Sequence, residues 1–435
     1  MTVGLTTVLL FVVFGVLLFL GVPISVSILV SALVTAASTL SWDQVTFIAM
    51  QKMNSGVESF SLLAIPLFIL AGNIMNNGGI ARRLINFAQI FVGKIPGSLA
   101  QANILGNMLF GALSGSSVAA ASAMGGTINP IEKENGYDPA YAAAANIASA
   151  PTGLLIPPTS AFIVYSTVAG GVSVSTLFMA GYIPGILMGI CCMGVALFWA
   201  IRHKMKAVGR DKSRSILRTT WEAIPSLLLI IIVIGGIVAG IFTATEGAGV
   251  AVLYCLVLSL IYRSISLKSF MDILLKSAKT SGIIMFLISA SSAMSFVMAY
   301  AGIPQAISSG LMGLTSNKYV IFLLMNIILL LVGMFMDITP AILIFTPIFL
   351  PIATKLGMSS VQFGVMLIFN MCLGNITPPV GSVLFVGCGI GEVTIEEVTP
   401  KLIPYFVVLI LALLAVTYIP ALSLAIPNAM GLTVK

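Results

Sequence analysis

Hydrophobic residues make up 59% of the 435 and charged residues 8%, with a mean hydropathy of +1.14. Soluble domains carry about 25% charged residues, so this composition excludes a soluble globular protein and indicates a polytopic helical membrane protein. The net charge of +7 comes from basic residues clustered between apolar runs, which is loop charge that orients a membrane protein and not a nucleic-acid-binding face.

In chain order, the N-terminus lacks a charged n-region and a small-residue cleavage site, so the first apolar stretch reads as a spanning helix. Residues 4–40 are almost uninterrupted apolar. At about 1.5 Å per residue they far exceed a hydrocarbon core of about 30 Å, and Gly21-Val22-Pro23 is expected to split them into two helices. A polar helical connector over 41–59, a span near 60–77 and a basic loop holding Arg82, Arg83 and Lys94 follow. Gly97 to Asn129 is then rich in Gly, Ala and Ser around Leu113-Ser-Gly-Ser-Ser117. Neither arm of about 16 residues spans comfortably, so a re-entrant hairpin over 97–129 is predicted, its tip carrying Ser114, Gly115, Ser116 and Ser117.

A polar loop over 132–138 leads to an apolar segment, 142–170, interrupted by Gly153-Leu-Leu-Ile-Pro-Pro-Thr-Ser160. Prolines lack the amide donor, so carbonyls one turn earlier lose their partners and the helix must break. Irregular backbone at membrane depth is tolerated where protein buries it or where it lines a polar cavity, which makes the break a site candidate. A span over 177–201 closes the first unit, 1–201, and a basic linker, 202–222, with seven Lys/Arg between 202 and 218, is expected in the cytoplasm.

The same order recurs in 223–435: spans near 223–242 and 246–262, an amphipathic connector over 263–279, a span over 281–300, a hairpin over 319–350, a broken helix over 364–391 and a last span over 403–425. Adding 221 to Gly153, Pro157 and Pro158 gives Gly374, Pro378 and Pro379, and Pro130, Ile131, Gly136 and Gly170 meet Pro351, Ile352, Gly357 and Gly391 at that same offset. These are two structural repeats. Each has an odd number of crossings, so the second is inverted relative to the first. With 202–218 cytoplasmic, Arg82, Arg83, Lys94, Lys133, Arg263, Lys268, Lys276, Lys279 and Lys401 join the cluster inside, leaving only Lys52, Lys318, Lys355 and Lys435 outside.

Two hairpins facing two broken helices are the parts of a secondary transporter whose substrate and ions bind near the midplane. Freed carbonyls at half-helix C-termini suit Na⁺, and half-helix N-termini suit a carboxylate. Asp337, in the second tip Gly333-Met-Phe-Met-Asp-Ile-Thr-Pro340, is the one acidic residue deep in a predicted membrane segment. Three readings stand for it: a Na⁺ ligand together with Thr339, Gly374, Thr377 and Pro379, a proton carrier, or a cap on the hairpin helix. A second Na⁺ is expected between Ser114, Gly115, Ser116 and Ser117 and the first break, Gly153 to Pro157, against the plainer reading that small residues there serve helix packing. Thr159, Ser160, Asn375 and Ser382 are substrate candidates by location. Glu246 reads as a helix-start or interface contact and not as a ligand. The five cysteines and the single histidine, His203, form no metal-ligand or disulfide pattern, and no intramembrane Ser/Lys, paired Asp or His cluster supports a hydrolase.

Leu113-Ser-Gly-Ser-Ser117, Pro151-Thr-Gly-Leu-Leu-Ile-Pro-Pro-Thr-Ser160, Thr243-Ala-Thr-Glu-Gly-Ala-Gly249, Gly333-Met-Phe-Met-Asp337 and Asn375-Ile-Thr-Pro-Pro-Val-Gly381 together resemble the large membrane subunit of tripartite ATP-independent periplasmic (TRAP) transporters. The likeness covers nearly the whole chain. Ala244 departs from it, standing where the family's motif commonly has proline. The resemblance implies an all-α elevator-type fold in the bacterial inner membrane and Na⁺-driven uptake of a carboxylate such as sialic acid or a C4-dicarboxylate, with two or more Na⁺. It further implies two partners, a separate small four-helix membrane subunit and a periplasmic substrate-binding protein. A stand-alone Na⁺/carboxylate symporter is the alternative.

Overall fold

The structure is a computed structural model that describes residues 2–77, 80–208, 215–262 and 264–432. It is all-helical, with no strand among the described residues. The first apolar stretch divides where expected, into α1 (Val3–Phe19) and α2 (Ile24–Ala37), with Gly21 in the left-handed region. The connector is α3 (Trp42–Ser55), started by a Ser41/Gln44 capping box, and a 3-10 turn at Phe60–Leu63 leads into α4 (Ala64–Asn77).

The expected basic loop is a helix instead, α5 (Ile80–Val92), which carries Arg82 and Arg83. Leu84, Ile85, Ala88 and Val92 recur at helical spacing and are all buried, an apolar stripe that the neighbouring charges obscured in the sequence.

The first hairpin is α6 (Ser98–Ser114) and α7 (Ser117–Glu134), so its second arm runs five residues beyond the expected 129. Glu132 therefore lies in the last turn of α7 and is buried at 1% exposure, not in a solvated loop as the sequence suggested. The first broken helix comes in three pieces, α8 (Pro139–Ser149), α9 (Thr152–Leu155) and α10 (Ser160–Val168), with Asp138 capping the first. Helix α11 (Val174–Arg202) closes the unit.

The basic linker is shorter than 202–222, because Ser215 is the N-cap of α12 (Ile216–Val238); residues 209–214 lie outside the described ones. Helix α13 (Ala244–Ile261) opens on a capping box in which the Glu246 carboxylate accepts from the Thr243 amide at 2.7 Å, the helix-start role expected of it. The amphipathic connector and the following span are one helix, α14 (Leu267–Tyr300). No proline interrupts it, and a buried stripe through Ile273, Ser277, Ser281 and Ile288 continues across the expected break. A helix not foreseen, α15 (Ile303–Leu314), starts after Gly302 in the left-handed region.

The second hairpin is α16 (Lys318–Gly333) and α17 (Ile338–Lys355), and the second broken helix is α18 (Ser360–Gly374) and α19 (Ser382–Gly391). The expected last span is two helices, α20 (Ile395–Tyr418) and α21 (Pro420–Ala429), since Pro420 cannot continue the hydrogen-bond ladder and starts a new helix. Six helices are long and apolar enough to cross a membrane, and two bent pairs raise that to eight, among the described residues.

The hairpins and broken helices form the interior. Every residue of α8 from Ala140 to Ser149 and every residue of α18 is buried. Each hairpin's first arm is tied to the facing broken helix by a buried asparagine pair: the Asn107 amide donates to Asn146 Oδ1 at 3.0 Å, and the Asn370 amide to Asn326 Oδ1 at 2.6 Å. In an apolar interior such bonds fix register as well as adding stability. Outward, α1, α12 and α13 present large apolar side chains such as Val8, Val12, Ile231 and Leu253, the face a bilayer would cover.

Candidate functional site: the cavity between the hairpin tips

Each tip is seated on its break through glycines. Gly115, at φ +61°, ends α6, and a Cβ there would lie 3.0 Å from the Pro158 carbonyl oxygen. One turn earlier, Gly111 packs on Gly153 so closely that a Cβ on either would sit 2.4 Å from the other's Cα. The second unit repeats the arrangement with Gly333 and Gly374, where a Cβ on Gly374 would lie 2.5 Å from Gly333 backbone carbon. Only glycine lets two backbones approach like this. Both Pro-Pro bonds, Pro157-Pro158 and Pro378-Pro379, are cis. After the second, the chain turns at Gly381 so that the Val383 amide donates to the Asn375 carbonyl at 3.1 Å and the Gly381 amide to that of Met334 at 3.5 Å.

The two units meet at these breaks. The Tyr165 hydroxyl donates to the Ser360 carbonyl at 2.5 Å, and the Cys372 thiol to that of Pro151 at 3.4 Å. Around this junction the tips open on a cavity of about 410 Å³. It receives Ser114, Gly115, Ser116, Ser117 and Ser160 from the first unit and Asp337 and Thr339 from the second. Of the fifteen positions the sequence singled out, these seven are brought together.

The other eight are not among its lining residues. Gly153 and Gly374 make the helix contacts just described. Pro157 and Pro379 hold the breaks, and Thr159 is buried as the N-cap of α10, accepting from the Ala161 amide at 3.1 Å. The Thr377 hydroxyl donates to the Leu373 carbonyl at 2.6 Å, leaving its lone pairs for another partner. Asn375 is buried beside Asp337, and its side chain and the Ile338 amide are the groups acting on that carboxylate. The Ser382 hydroxyl is buried without a hydrogen-bond partner.

Asp337 occupies the N-cap position of α17, yet its side chain makes no capping bond, and it is exposed to the cavity. Its carboxyl group thus stands on the cavity wall at the tip. The N-terminus of α7 opens on the same space: Ser116, Ser117, Val118 and Ala119 all line it, with Ser116 Oγ accepting from the Ala119 amide at 3.3 Å. A helix start presents partial positive charge to an anion.

The opposite wall was not legible in the sequence. It comes from α4 and α14, through Asn73, Asn76, Lys276 and Thr280. Asn73 donates to Ser277 Oγ at 2.9 Å, which holds the two helices together. Lys276 is the one cationic side chain among the cavity's described lining residues, and it forms no ion pair among them. The available signals were Asn73 and Asn76 three apart and Lys276 and Thr280 four apart, each pair on one helix face. The assignment of 263–279 to a surface connector hid the second.

Residues 11–422 match the family model described as "Tripartite ATP-independent periplasmic transporter, DctM component". The chain is 50% identical over 421 residues to the Salmonella typhimurium protein "Uncharacterized protein YgiK", with 97% of each chain covered. It is 36% identical over 442 residues to the Rhodobacter capsulatus "C4-dicarboxylate TRAP transporter large permease protein DctM", covering 97% of this chain and 99% of that one. Among solved structures, the Alcanivorax borkumensis YdaH transporter shares the fold, with a TM-score of 0.60 at 13% identity over 86% of this chain and 88% of its own. A match over nearly the whole length, on a helical membrane framework whose spaced glycine and Pro-Pro motifs build its central cavity, settles the family: the chain belongs to the DctM component of tripartite ATP-independent periplasmic transporters and is a multi-pass transporter permease, not an enzyme.

Proposed function

We propose that this permease carries out Na⁺-coupled secondary active uptake of an organic carboxylate across the bacterial inner membrane. The observation that carries the reading is the cavity in which Asp337, at one hairpin tip, and the N-terminus of α7, at the other, face Lys276 across the same space. An exposed carboxylate among tip oxygens suits a cation. The helix start and the ammonium suit a carboxylate. A site offering both charges binds ion and anion together more readily than either alone, which is the thermodynamic requirement for symport.

In this reading Asp337, Thr339, Thr377 and the carbonyls of the second break take one Na⁺, while Ser114 to Ser117 with Gly153 to Pro157 take another. Substrate sits between the tips near Ser160. The two units are inverted, and hairpins and broken helices move together, as an elevator, past a scaffold of α4, α13, α14 and the outer helices. A small four-helix membrane subunit completes the scaffold, and a periplasmic binding protein delivers the substrate, with C4-dicarboxylates and sialic acid as the first candidates.

The test is uptake into proteoliposomes with an imposed Na⁺ gradient, the small subunit co-reconstituted, and labelled C4-dicarboxylate or sialic acid offered with and without the matching binding protein. Uptake that needs both Na⁺ and a binding protein supports the reading. Uptake without any soluble component makes the chain a stand-alone symporter, and uptake indifferent to Na⁺ removes the coupling ion.

Lys276 gives a second expected result. A charge-assisted contact contributes about 1.5–3 kcal/mol, so Lys276→Gln should raise the half-saturating substrate concentration about 10-fold or more with little change in Na⁺ activation. Lys276→Arg should retain most of the affinity. Equal kinetics for wild type and Lys276→Gln would remove the lysine from substrate binding.

A further inference from the structure

A second charged cavity, of about 590 Å³, lies away from the tips where α5, α12 and the end of α13 meet, lined by Arg83, Arg218, Thr219, Trp221, Glu222 and Tyr262. The Arg83 guanidinium lies over Tyr262, its carbon 3.5 Å from the ring centroid, and one of its terminal nitrogens, Nη1, is buried with no hydrogen-bond partner. A buried guanidinium donor without an acceptor is costly, and the acceptors that fit its fork are carboxylates and phosphates. The one acid in the cavity, Glu222, is already engaged by Arg218 Nε at 3.1 Å.

The surroundings specify the anion. Arg218 belongs to the basic cluster that the charge distribution places in the cytoplasm, so the cavity opens at the cytoplasmic leaflet. Immediately beside it Leu217 and Trp221 on α12 are 79% and 73% exposed, and Leu260 and Ile261 on α13 are 73% and 67% exposed. Farther along α12, Ile231 continues that outward apolar surface. A ligand that fills this place has a phosphate at the arginines and hydrocarbon along the helices. Trp221 stands at the boundary, where an amphipathic ring is best accommodated.

We propose that Arg83, Arg218 and Trp221 form a binding site for the headgroup of an anionic phospholipid of the cytoplasmic leaflet, with its acyl chains lying against α12 and α13. Basic pockets between membrane helices recognise such headgroups by charge and by the anchoring of the chains together. The site lies on α5, α12 and α13, apart from the hairpin tips, and does not depend on which substrate or ion is carried.

The purified full-length chain, stripped of lipid in neutral detergent, should bind phosphatidylglycerol in preference to phosphatidylcholine by native mass spectrometry, and phosphatidylglycerol should raise its melting temperature. Arg83→Gln should abolish the preference, and Arg83→Lys should retain part of it. Inorganic phosphate and glycerol phosphate serve as chain-free probes. If either raises the melting temperature as much as the lipid does, a soluble phosphate ligand replaces the lipid and the proposal fails. It fails equally if wild type shows no preference, a readout that holds even where a variant does not fold, or if Arg83→Gln and the Arg83→Gln/Arg218→Gln double variant keep the preference unchanged.

Discussion

Replacing Asp337 with asparagine is expected to abolish Na⁺-driven uptake while leaving the protein folded. Asp337 begins α17 and faces the tip cavity, with the Ile338 amide and the Asn375 side chain acting on its carboxyl group. Asparagine keeps the shape and one acceptor oxygen but loses the charge. Loss of a group that merely orients a ligand costs about 10–100-fold in metal affinity, so loss of the charged ligand itself should cost no less, about 100-fold or more in the Na⁺ concentration needed for half-maximal uptake. Three readings of this aspartate separate here. A Na⁺ ligand predicts a large shift in Na⁺ activation with an unchanged melting temperature in Na⁺-free buffer. A proton carrier predicts that the variant loses the pH dependence of uptake and keeps its Na⁺ dependence. A structural cap predicts a lower melting temperature in every buffer. Uptake measured against Na⁺ and against pH, with melting curves, distinguishes all three.

Gly374→Ala and Gly153→Ala should be strongly disruptive although each adds only a methyl group. A Cβ on Gly374 would meet Gly333 backbone atoms at 2.5–2.6 Å, and one on Gly153 would lie 2.4 Å from Gly111 Cα. The obstructing atoms are backbone, which no rotamer change can move aside. Overpacking a well-packed interior costs about 1–3 kcal/mol and more where main chain must shift, so about 3 kcal/mol or more is expected at each site. Any relief by sliding the helices would move a hairpin tip away from its break and open the site. Both variants should therefore lose uptake along with stability. Gly126→Ala is the control: it lies in α7 of the first hairpin, a Cβ there meets nothing within 4 Å, and alanine favours the helix by about 0.5–1 kcal/mol. If Gly374→Ala melts and transports like Gly126→Ala, the close helix contact does not hold the second tip.

The sequence by itself determined the class, the order and the breaks. Membrane composition admits few architectures, because backbone polar groups in hydrocarbon must be satisfied within helices. Any interruption by Gly and Pro then stands out, which is why Gly21-Val22-Pro23, both tips and both Pro-Pro segments were found at their positions. The 221-residue offset needed no structure either, since it is a property of the letters. Boundaries were missed where charge and amphipathic packing coincide. Arg82 and Arg83 concealed the buried stripe of α5, and Glu132, written among Lys133, Glu134 and Asp138, gave no sign that α7 would enclose it.

Tertiary structure alone decided which side chains share the cavity. Lys276 and Asp337 are 61 residues apart in sequence and line one space because α14 packs against α17 of the second hairpin. Likewise Gly153 and Gly374 are points where helices touch, a fact that depends on Gly111 and Gly333 standing opposite. Local pattern fixes where a helix must stop, because that cost is felt within one turn of the chain. What a stopped helix faces depends on the packing of distant segments, and one-dimensional spacing carries no record of it.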